Sequence, residues 1–308
     1  MNNLTLKQMR YFEALARHGH FGRAAEASAI SQPALSVQIR EMEAGLGTKL
    51  FERGPRHVRL TGFGEEVRIR IRDILRAVDE LGDLARGSGG GLSGRLRLGV
   101  IPTVAPYLLP RLVSALAGAY PGLDLDIRET VTPRLLEELA DGRLDTAIVA
   151  LPVSEPTVTE VTLFDESFVL VRPESEADAP MPDPDQLATM RLLLLEEGHC
   201  FRDQALSFCS MGDSGSVART RHGLDGSALS TLVQMVGAGL GVTLIPDMAV
   251  SVETRSAPVA VCRFPDPQPS RRVGMIWRNS TPLAPQLQEM ADVIRRDVGG
   301  RLATGAAA

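Results

Sequence analysis

Cysteine is nearly absent from this chain of 308 residues: only Cys200, Cys209 and Cys262 occur. So small and odd a number argues against a secreted disulfide framework and for a reducing cytosol, where any disulfide is transient and functional. Long apolar runs are missing as well. No stretch of eighteen apolar residues occurs, which excludes a membrane-spanning helix and any membrane partner of that kind. Nothing near the front reads as a secretory leader, because Leu4 to His20 is broken by Lys7, Arg10, Glu13 and Arg17. These absences predict a cytoplasmic protein.

Net positive charge, the usual mark of a nucleic-acid binder, is lacking too: the formal charge is -5. Its distribution changes the inference. Residues 1–60 carry nine Lys/Arg against five Asp/Glu, a balance of +4. The other 248 carry 24 against 33, a balance of -9. A basic head on an acidic body permits DNA binding by the head alone.

The pattern of the head supports that reading. Leu6, Met9, Phe12, Ala14, Leu15 and Ala16 place one apolar face on a first helix, which His18, Gly19 and His20 interrupt. A short second helix fits Phe21 to Ala27. Ala29-Ile30-Ser31 reads as a tight turn, with Ser31 the N-cap of a third helix and Gln32 and Pro33 in its first turn. Leu35, Ile39 and Met42 sit at core spacing along it, and Gly45 and Gly47 mark its end. This is a helix-turn-helix pattern. Gln32, Ser36 and Arg40, each four residues apart, share the face that the apolar stripe leaves open. Amide, hydroxyl and guanidinium groups suit base edges and phosphates. Beyond Leu50-Phe51, the run Glu52 to Leu60 reads as a hairpin with Arg53 and Arg56 at its turn, a basic wing. A solvated surface helix and loop is the plain alternative.

From Thr61, a fitting N-cap, a helix is expected to about Arg86. Val67, Ile71, Ile74, Val78, Leu81 and Ala85 recur at heptad steps along it. Either the body or a second copy of the chain covers such a seam. A second copy would present two recognition helices to a pseudo-palindromic operator. Gly87-Ser88-Gly89-Gly90-Gly91 then supplies a flexible hinge. The division is a head over 1–61, a linker helix and hinge over 62–91, and a body over 92–308.

In the body, strands are expected over Arg95–Val100, Leu123–Ile127, Thr146–Ala150, Phe168–Val171, Leu192–Leu195, Val242–Ile245 and Val273–Trp277. Helices are expected after Thr103 and over Arg134–Ala140, Leu229–Val236 and Gln286–Arg296. Such alternation predicts an α/β body with mostly parallel sheets. Pro/Asp-rich segments at 173–185 and 264–269 read as loops. Gly237-Ala238-Gly239-Leu240-Gly241 follows no strand, so it reads as a helix-to-strand turn rather than a dinucleotide loop. No cofactor is expected.

Cys200 stands between His199 and the nearby Arg202, and cationic neighbours favour a thiolate. Cys209 lies nine positions on. In a regular helix nine steps separate the Cα atoms by roughly 13 Å, whereas a disulfide needs them within about 7 Å. If this pair bridges, the segment between must change shape, which is the layout of a redox switch. Phe201, Ala205, Leu206 and Phe208 are apolar enough to pack that segment into a core. Two buried, inert thiols are the plain alternative, and that reading is taken for Cys262. A zinc site from His199, Cys200 and Cys209 lacks an evident fourth ligand. His18, His20, His57 and His222 read as surface or structural residues.

Several runs also carry a resemblance. Phe21-Gly22-Arg23-Ala24-Ala25, Ile30 to Ser36, Gln38-Ile39-Arg40, Leu46-Gly47 and Leu50 to Arg53 resemble the DNA-binding head of LysR-type transcriptional regulators. The resemblance implies a winged helix-turn-helix, a long dimerisation helix, and a two-lobed α/β effector domain of the periplasmic-binding-protein type. Its lobes would cover about 92–163 with 270–303, and about 164–269. DNA contacts would fall to Arg23, Ser31, Gln32, Pro33, Ser36, Gln38, Arg40, Arg53 and Arg56. The runs Gly99 to Val104, Pro106 to Pro110, Leu163 to Glu166 and Glu196 to Cys209 are similar to the branch of that family that senses hydrogen peroxide. That likeness implies Cys200 as the attacking thiol and Cys209 as its disulfide partner. It also implies a peroxide pocket of Thr103, Thr132, His199 and Arg272, a homodimer or homotetramer, and an oxidative-stress regulator rather than an enzyme. The register at Thr132 and between Arg271 and Arg272 stays open, as does a contact with RNA polymerase. Two rivals stand beside it: a LysR-type regulator answering a small organic metabolite in the interlobe cleft, and a thiol peroxidase.

Overall fold

The computed structural model describes residues 4–54, 57–87, 92–209 and 225–299. It separates into two units, residues 1–85 and 86–308.

In the first unit, α1 (Leu6–His18), α2 (Phe21–Ala27) and α3 (Gln32–Leu46) precede a hairpin of β1 (Phe51–Arg53) and β2 (Val58–Leu60). The capping chemistry explains the boundaries. The Thr5 side chain accepts from the Gln8 backbone N–H and starts α1, the His20 ring accepts from Gly22 and starts α2, and the Ser31 hydroxyl accepts from Ala34 and starts α3. Phe12, Leu15, Leu35, Ile39 and Leu50 are fully enclosed. Glu43 is buried among them, accepting from the backbone N–H groups of Leu50 and Phe51 and from Lys49.

The linker helix α4 (Gly62–Gly87) is capped by Thr61, whose hydroxyl accepts from Gly64. Gly64 has no alternative, because a Cβ there would stand 2.2 Å from the Leu50 carbonyl oxygen. The heptad seam divides in two. Val67 and Ile71 of the seam, joined by Leu75 from outside it, pack on the head's own core, an outcome that neither the body nor a second copy anticipates. Ile74 and Leu81 stay exposed, as do Ile69 and Leu84.

The second unit is built on β3 (Gly94–Val100), β4 (Leu123–Glu129), β5 (Thr146–Leu151), the sixteen-residue β6 (Val158–Pro173), β9 (Thr243–Pro246), β10 (Val259–Arg263) and β11 (Ser270–Arg278). The sheet order is β10-β6-β11-β5-β3-β4, with β9 also on β6. Only β3 with β4 and β3 with β5 are parallel there; β11 with β5 and every pairing of β6 are antiparallel. The expectation of mostly parallel sheets is therefore wrong. The two-residue strands β7 (Leu194–Leu195) and β8 (Asp225–Gly226) pair in parallel.

Two apolar cores result. The first gathers β3, β5, the inner side of β11, and the helices α5 (Ala105–Ala119), α6 (Thr132–Ala140) and α11 (Ala284–Ile294). The second gathers the end of β6, β9, α7 (Pro184–Thr189), α8 (Cys200–Cys209), α9 (Leu229–Gly237) and the segment at α10 (Val250–Glu253). The glycine run at 237–241 forms the expected turn from α9 into β9. No described helix is long and apolar enough to cross a membrane.

Candidate functional site

Two sets of residues bear on function, one in each unit. In the head, Gln32, Pro33 and Arg40 are exposed on α3, and Ser36 and Gln38 are half-buried. Gln32, Ser36 and Arg40 follow one another a turn apart, and the Arg40 Nε donates to the Ser36 carbonyl. Gln38 donates to Glu41 instead of standing free. Arg23, on α2, donates to the His18 carbonyl. Ser31 spends its hydroxyl on the cap. The Arg53 backbone ends β1. Arg56 and His222 lie outside the described residues. The face of α3 thus presents amide, hydroxyl and guanidinium together, and Arg23 and Ser31 hold the helix pair that carries it.

In the second unit, α8 carries both sequence-singled cysteines, Cys200 as its first residue and Cys209 as its last. Its ends are therefore roughly 13 Å apart along the axis. The helix belongs to both cores. Cys200 packs against the first, while Phe201 and Ala205 are buried in the second. The Phe201 ring meets Phe168 edge-on at 4.9 Å between centroids, and Phe208 meets Phe264 in the same way at 5.1 Å. Gly198, just ahead of the helix, holds φ +97°, a left-handed value that turns the chain into it.

Cys200 shares a small void with Ile101, Pro102, Thr103, Val131, Thr132 and His199. Three of the four residues expected around a peroxide thus stand together with the thiol. The fourth does not. Arg272 points outward, its side chain 60% exposed and 3.5 Å from Asp165, where it lines a separate open groove that Cys200 also reaches. Arg271 points inward. It is fully buried, it pairs with Glu166 at 2.7 Å, and it donates to the Thr103 hydroxyl at 2.8 Å and the Thr103 carbonyl at 2.9 Å. Its guanidinium also lies over the Phe201 ring, 5.4 Å from the centroid. The inward arginine of this strand is therefore Arg271, and the signal was present: Arg271, Val273 and Met275 alternate on the inner face.

Each polar group has a defined state. Thr103 accepts from Arg271, so its hydroxyl hydrogen is left to donate elsewhere. The Thr132 hydroxyl oxygen is buried without a partner. Burial pushes the His199 imidazole below its ordinary value, against a smaller upward pull from Glu196. That direction favours the neutral ring over the cation that the sequence placed beside the thiol. Arg202, the other expected cation, donates to the Leu195 carbonyl and pairs with Asp225. Burial also pushes the Glu166 carboxyl up, opposed by Arg271. Cys262, on β10, is a free thiol packed against the second core. No group of three metal-binding side chains occurs among the described residues.

A second cavity, a cleft of about 320 Å³, opens between the lobes. Tyr107 and Glu253 both line it and share a 2.6 Å hydrogen bond from phenol to carboxylate. Pro102, Thr103, Val131 and His199 line both this cleft and the void at Cys200.

Comparison with known proteins places these features. Residues 6–65 match the model of the bacterial regulatory helix-turn-helix protein, lysR family, and residues 89–299 that of the LysR substrate binding domain. The chain is 45% identical over 294 residues to a probable hydrogen peroxide-inducible genes activator of Streptomyces viridosporus, covering 94% of this chain and 93% of that protein. It is 38% identical over 302 residues to the DNA-binding transcriptional dual regulator OxyR of Escherichia coli, covering 96% and 97%. Among solved structures it resembles a hydrogen peroxide-bound cysteine-to-serine mutant of Corynebacterium glutamicum OxyR (TM-score 0.69, 36% identity, 98% of this chain and 95% of that one). It also resembles a full-length cysteine-to-aspartate OxyR of Pseudomonas aeruginosa (TM-score 0.72, 36% identity, 95% and 98%).

Proposed function

The chain belongs to the LysR family of DNA-binding transcription regulators, and from that premise we propose that it senses hydrogen peroxide through Cys200 and Cys209. One observation carries the proposal: the Cys200 thiol shares an enclosed void with two threonine hydroxyls that have hydrogen-bonding capacity to spare.

The chemistry balances without a cofactor. The Cys200 thiolate attacks one peroxide oxygen, the O–O bond breaks, and hydroxide leaves to be protonated, giving a sulfenic acid. Thr103 donates to the departing oxygen, its own oxygen being held by Arg271. The Cys209 thiol then condenses with the sulfenic acid, releasing water and forming the disulfide. A helix of ten residues cannot span that bond, so α8 unwinds and draws Phe201 and Phe208 off their partners. Lobe packing changes with it, and through the effector-domain contacts of a dimer or tetramer the spacing of the heads on operator DNA. The apolar residues Ile74, Leu81 and Leu84, exposed along α4, supply part of the surface that a second copy covers.

The test is peroxide treatment of the full chain, followed by thiol counting and peptide mass spectrometry. Loss of two thiols with a crosslink between the peptides carrying Cys200 and Cys209 is the expected result. Cys200→Ser should lose the response to peroxide and keep its DNA affinity; a preserved response refutes the assignment. The interlobe cleft supports a second reading, a regulator answering a small polar metabolite, with Glu129, Thr130, Ser227, Ser230 and Glu253 among its polar lining. Peroxide-indifferent thiols in a protein that still binds operator DNA would favour it.

A further inference from the structure

The void at Cys200 leaves no room for even a water-sized sphere, so an oxidant entering it must displace part of the wall. The wall is not equally firm throughout. Ile101 is buried and its backbone N–H donates to the Ile148 carbonyl. Pro102 has a fixed ring, and Thr103 is buried and held twice by Arg271. Thr132 opens α6, its backbone committed to the helix. Val131 and His199 are half-buried, as Pro102 and Thr132 also are, but they have neither a ring closed onto the backbone nor a hydrogen-bonded side chain. The His199 ring has no hydrogen-bond partner among the described residues. Val131 offers only methyl groups, and its Cγ2 is the nearest atom to the Gly198 Cβ position, 3.9 Å away. Of the four residues that line both the void and the interlobe cleft, Pro102 and Thr103 are the held ones and Val131 and His199 the yielding ones.

Building on the reading of Cys200 as the peroxide-reactive thiol, we propose that the oxidant reaches it from the interlobe cleft and that Val131 is a specificity-determining residue. Its side chain, between the cleft and the Gly198-His199-Cys200 turn, sets the size limit. A rotation of Val131 and His199 admits a two-oxygen molecule with no substituent. An alkyl or aryl hydroperoxide requires the start of α6 to part from the turn before α8, which the fixed walls oppose. Discrimination between peroxides is then a matter of methyl groups, and a methylene of misfit in an apolar pocket is worth roughly 10–200-fold.

The test uses the full chain with Cys209→Ser and Cys262→Ser, so that one thiol reports, and follows its loss in stopped flow. Hydrogen peroxide and cumene hydroperoxide are compared. Val131→Ala is expected to accelerate the cumene hydroperoxide reaction by about tenfold or more, and Val131→Leu to slow the hydrogen peroxide reaction by a comparable factor. Val131→Thr, equal in width, should keep the parent's ratio and guards against a folding artefact. Rates indifferent to position 131 overturn the inference while leaving the sensor reading intact. So does a slowing by Gln204→Trp, which fills the separate groove, that Val131→Leu fails to produce. A parent thiol untouched by hydrogen peroxide overturns the sensor reading and this one with it.

Discussion

Replacing Phe208 by alanine should make the proposed disulfide harder to reduce. In the reduced protein the Phe208 ring is half-buried and stands edge-on to Phe264 at 5.1 Å. Closing a bond between the two ends of α8 pulls it away. Full burial of a phenylalanine is worth about 1.5–3 kcal/mol, so a half-buried one supplies the lower part of that range. The ring pair adds about 0.5–1.5 kcal/mol. The grip amounts to about 2–3 kcal/mol, and it acts on the reduced state alone. Removing it destabilises the dithiol and spares the disulfide, so the reduction potential moves negative. At 30 mV for each 1.4 kcal/mol in a two-electron couple, the shift is about 40–60 mV. Helix hydrogen bonds broken on oxidation are the same in both proteins and cancel. Equilibration in dithiothreitol buffers of graded potential, then alkylation and mass counting, reads the midpoint. Ser207→Ala, an exposed position on the same helix, is the control and should not move it. A Phe208→Ala midpoint unchanged or less negative would mean that the ring keeps its seat in both states, and the coupling of sulfur chemistry to unpacking would fail.

Other consequences follow from single groups. Arg271→Ala leaves Glu166 buried and unpaired, which should cost about 3–5 kcal/mol in urea unfolding. Arg271→Met with Glu166→Gln should recover much of that, and equal losses in the single and double variants would contradict it. Burial pushes the Glu43 carboxyl up, but Lys49 and the Leu50 and Phe51 backbone groups outweigh it and hold the folded value below 4.5. Its contribution to stability is thus full above 4.5 and lost as pH falls through the lower folded value. The stability gap between the parent and Glu43→Gln should narrow on acidification; a gap that widens reverses the assignment. Arg40→Ala should weaken binding to an operator selected from random DNA by about 1–3 kcal/mol if the guanidinium reads a base. Gel shifts across salt concentrations separate this from a phosphate contact, which lowers the salt slope and weakens all sequences alike.

Local structure was legible in the sequence where one force decided it. Ser31 and Thr61 start helices because a short hydroxyl satisfies an exposed N–H, and both positions were readable. The strand at 94–100 and the buried strand at 146–151 announced themselves by apolar pattern. Sheet direction was not legible in this way, because β6 and β11 meet across about a hundred residues of chain. One clue lay in the six residues joining β5 to β6, far fewer than a parallel crossover needs. The linker helix was legible only in part for a related reason: a heptad seam reports that a face is covered, not by what. At the candidate site, Thr103, Thr132 and His199 came together around Cys200, although they come from three separate segments. The arginine was a question of parity on one strand, and alternation back from Val273 selects Arg271.

A buried ion pair adds little to stability, and apolar residues of the same shape often do as well. The arrangement at Arg271 does something that such residues could not. Its guanidinium occupies the Thr103 hydroxyl as a donor, which compels Thr103 to present its own hydrogen elsewhere. It fixes the Thr103 carbonyl with a second bond, and Glu166 balances its charge. The same group rests on the Phe201 ring, one residue from Cys200. Were α8 to unwind on oxidation as proposed, the ring contact would be given up while the threonine bonds persist. On that reading the held half of the pocket and the half that moves meet on one side chain, so the site would keep its hydroxyl geometry up to the moment the helix departs.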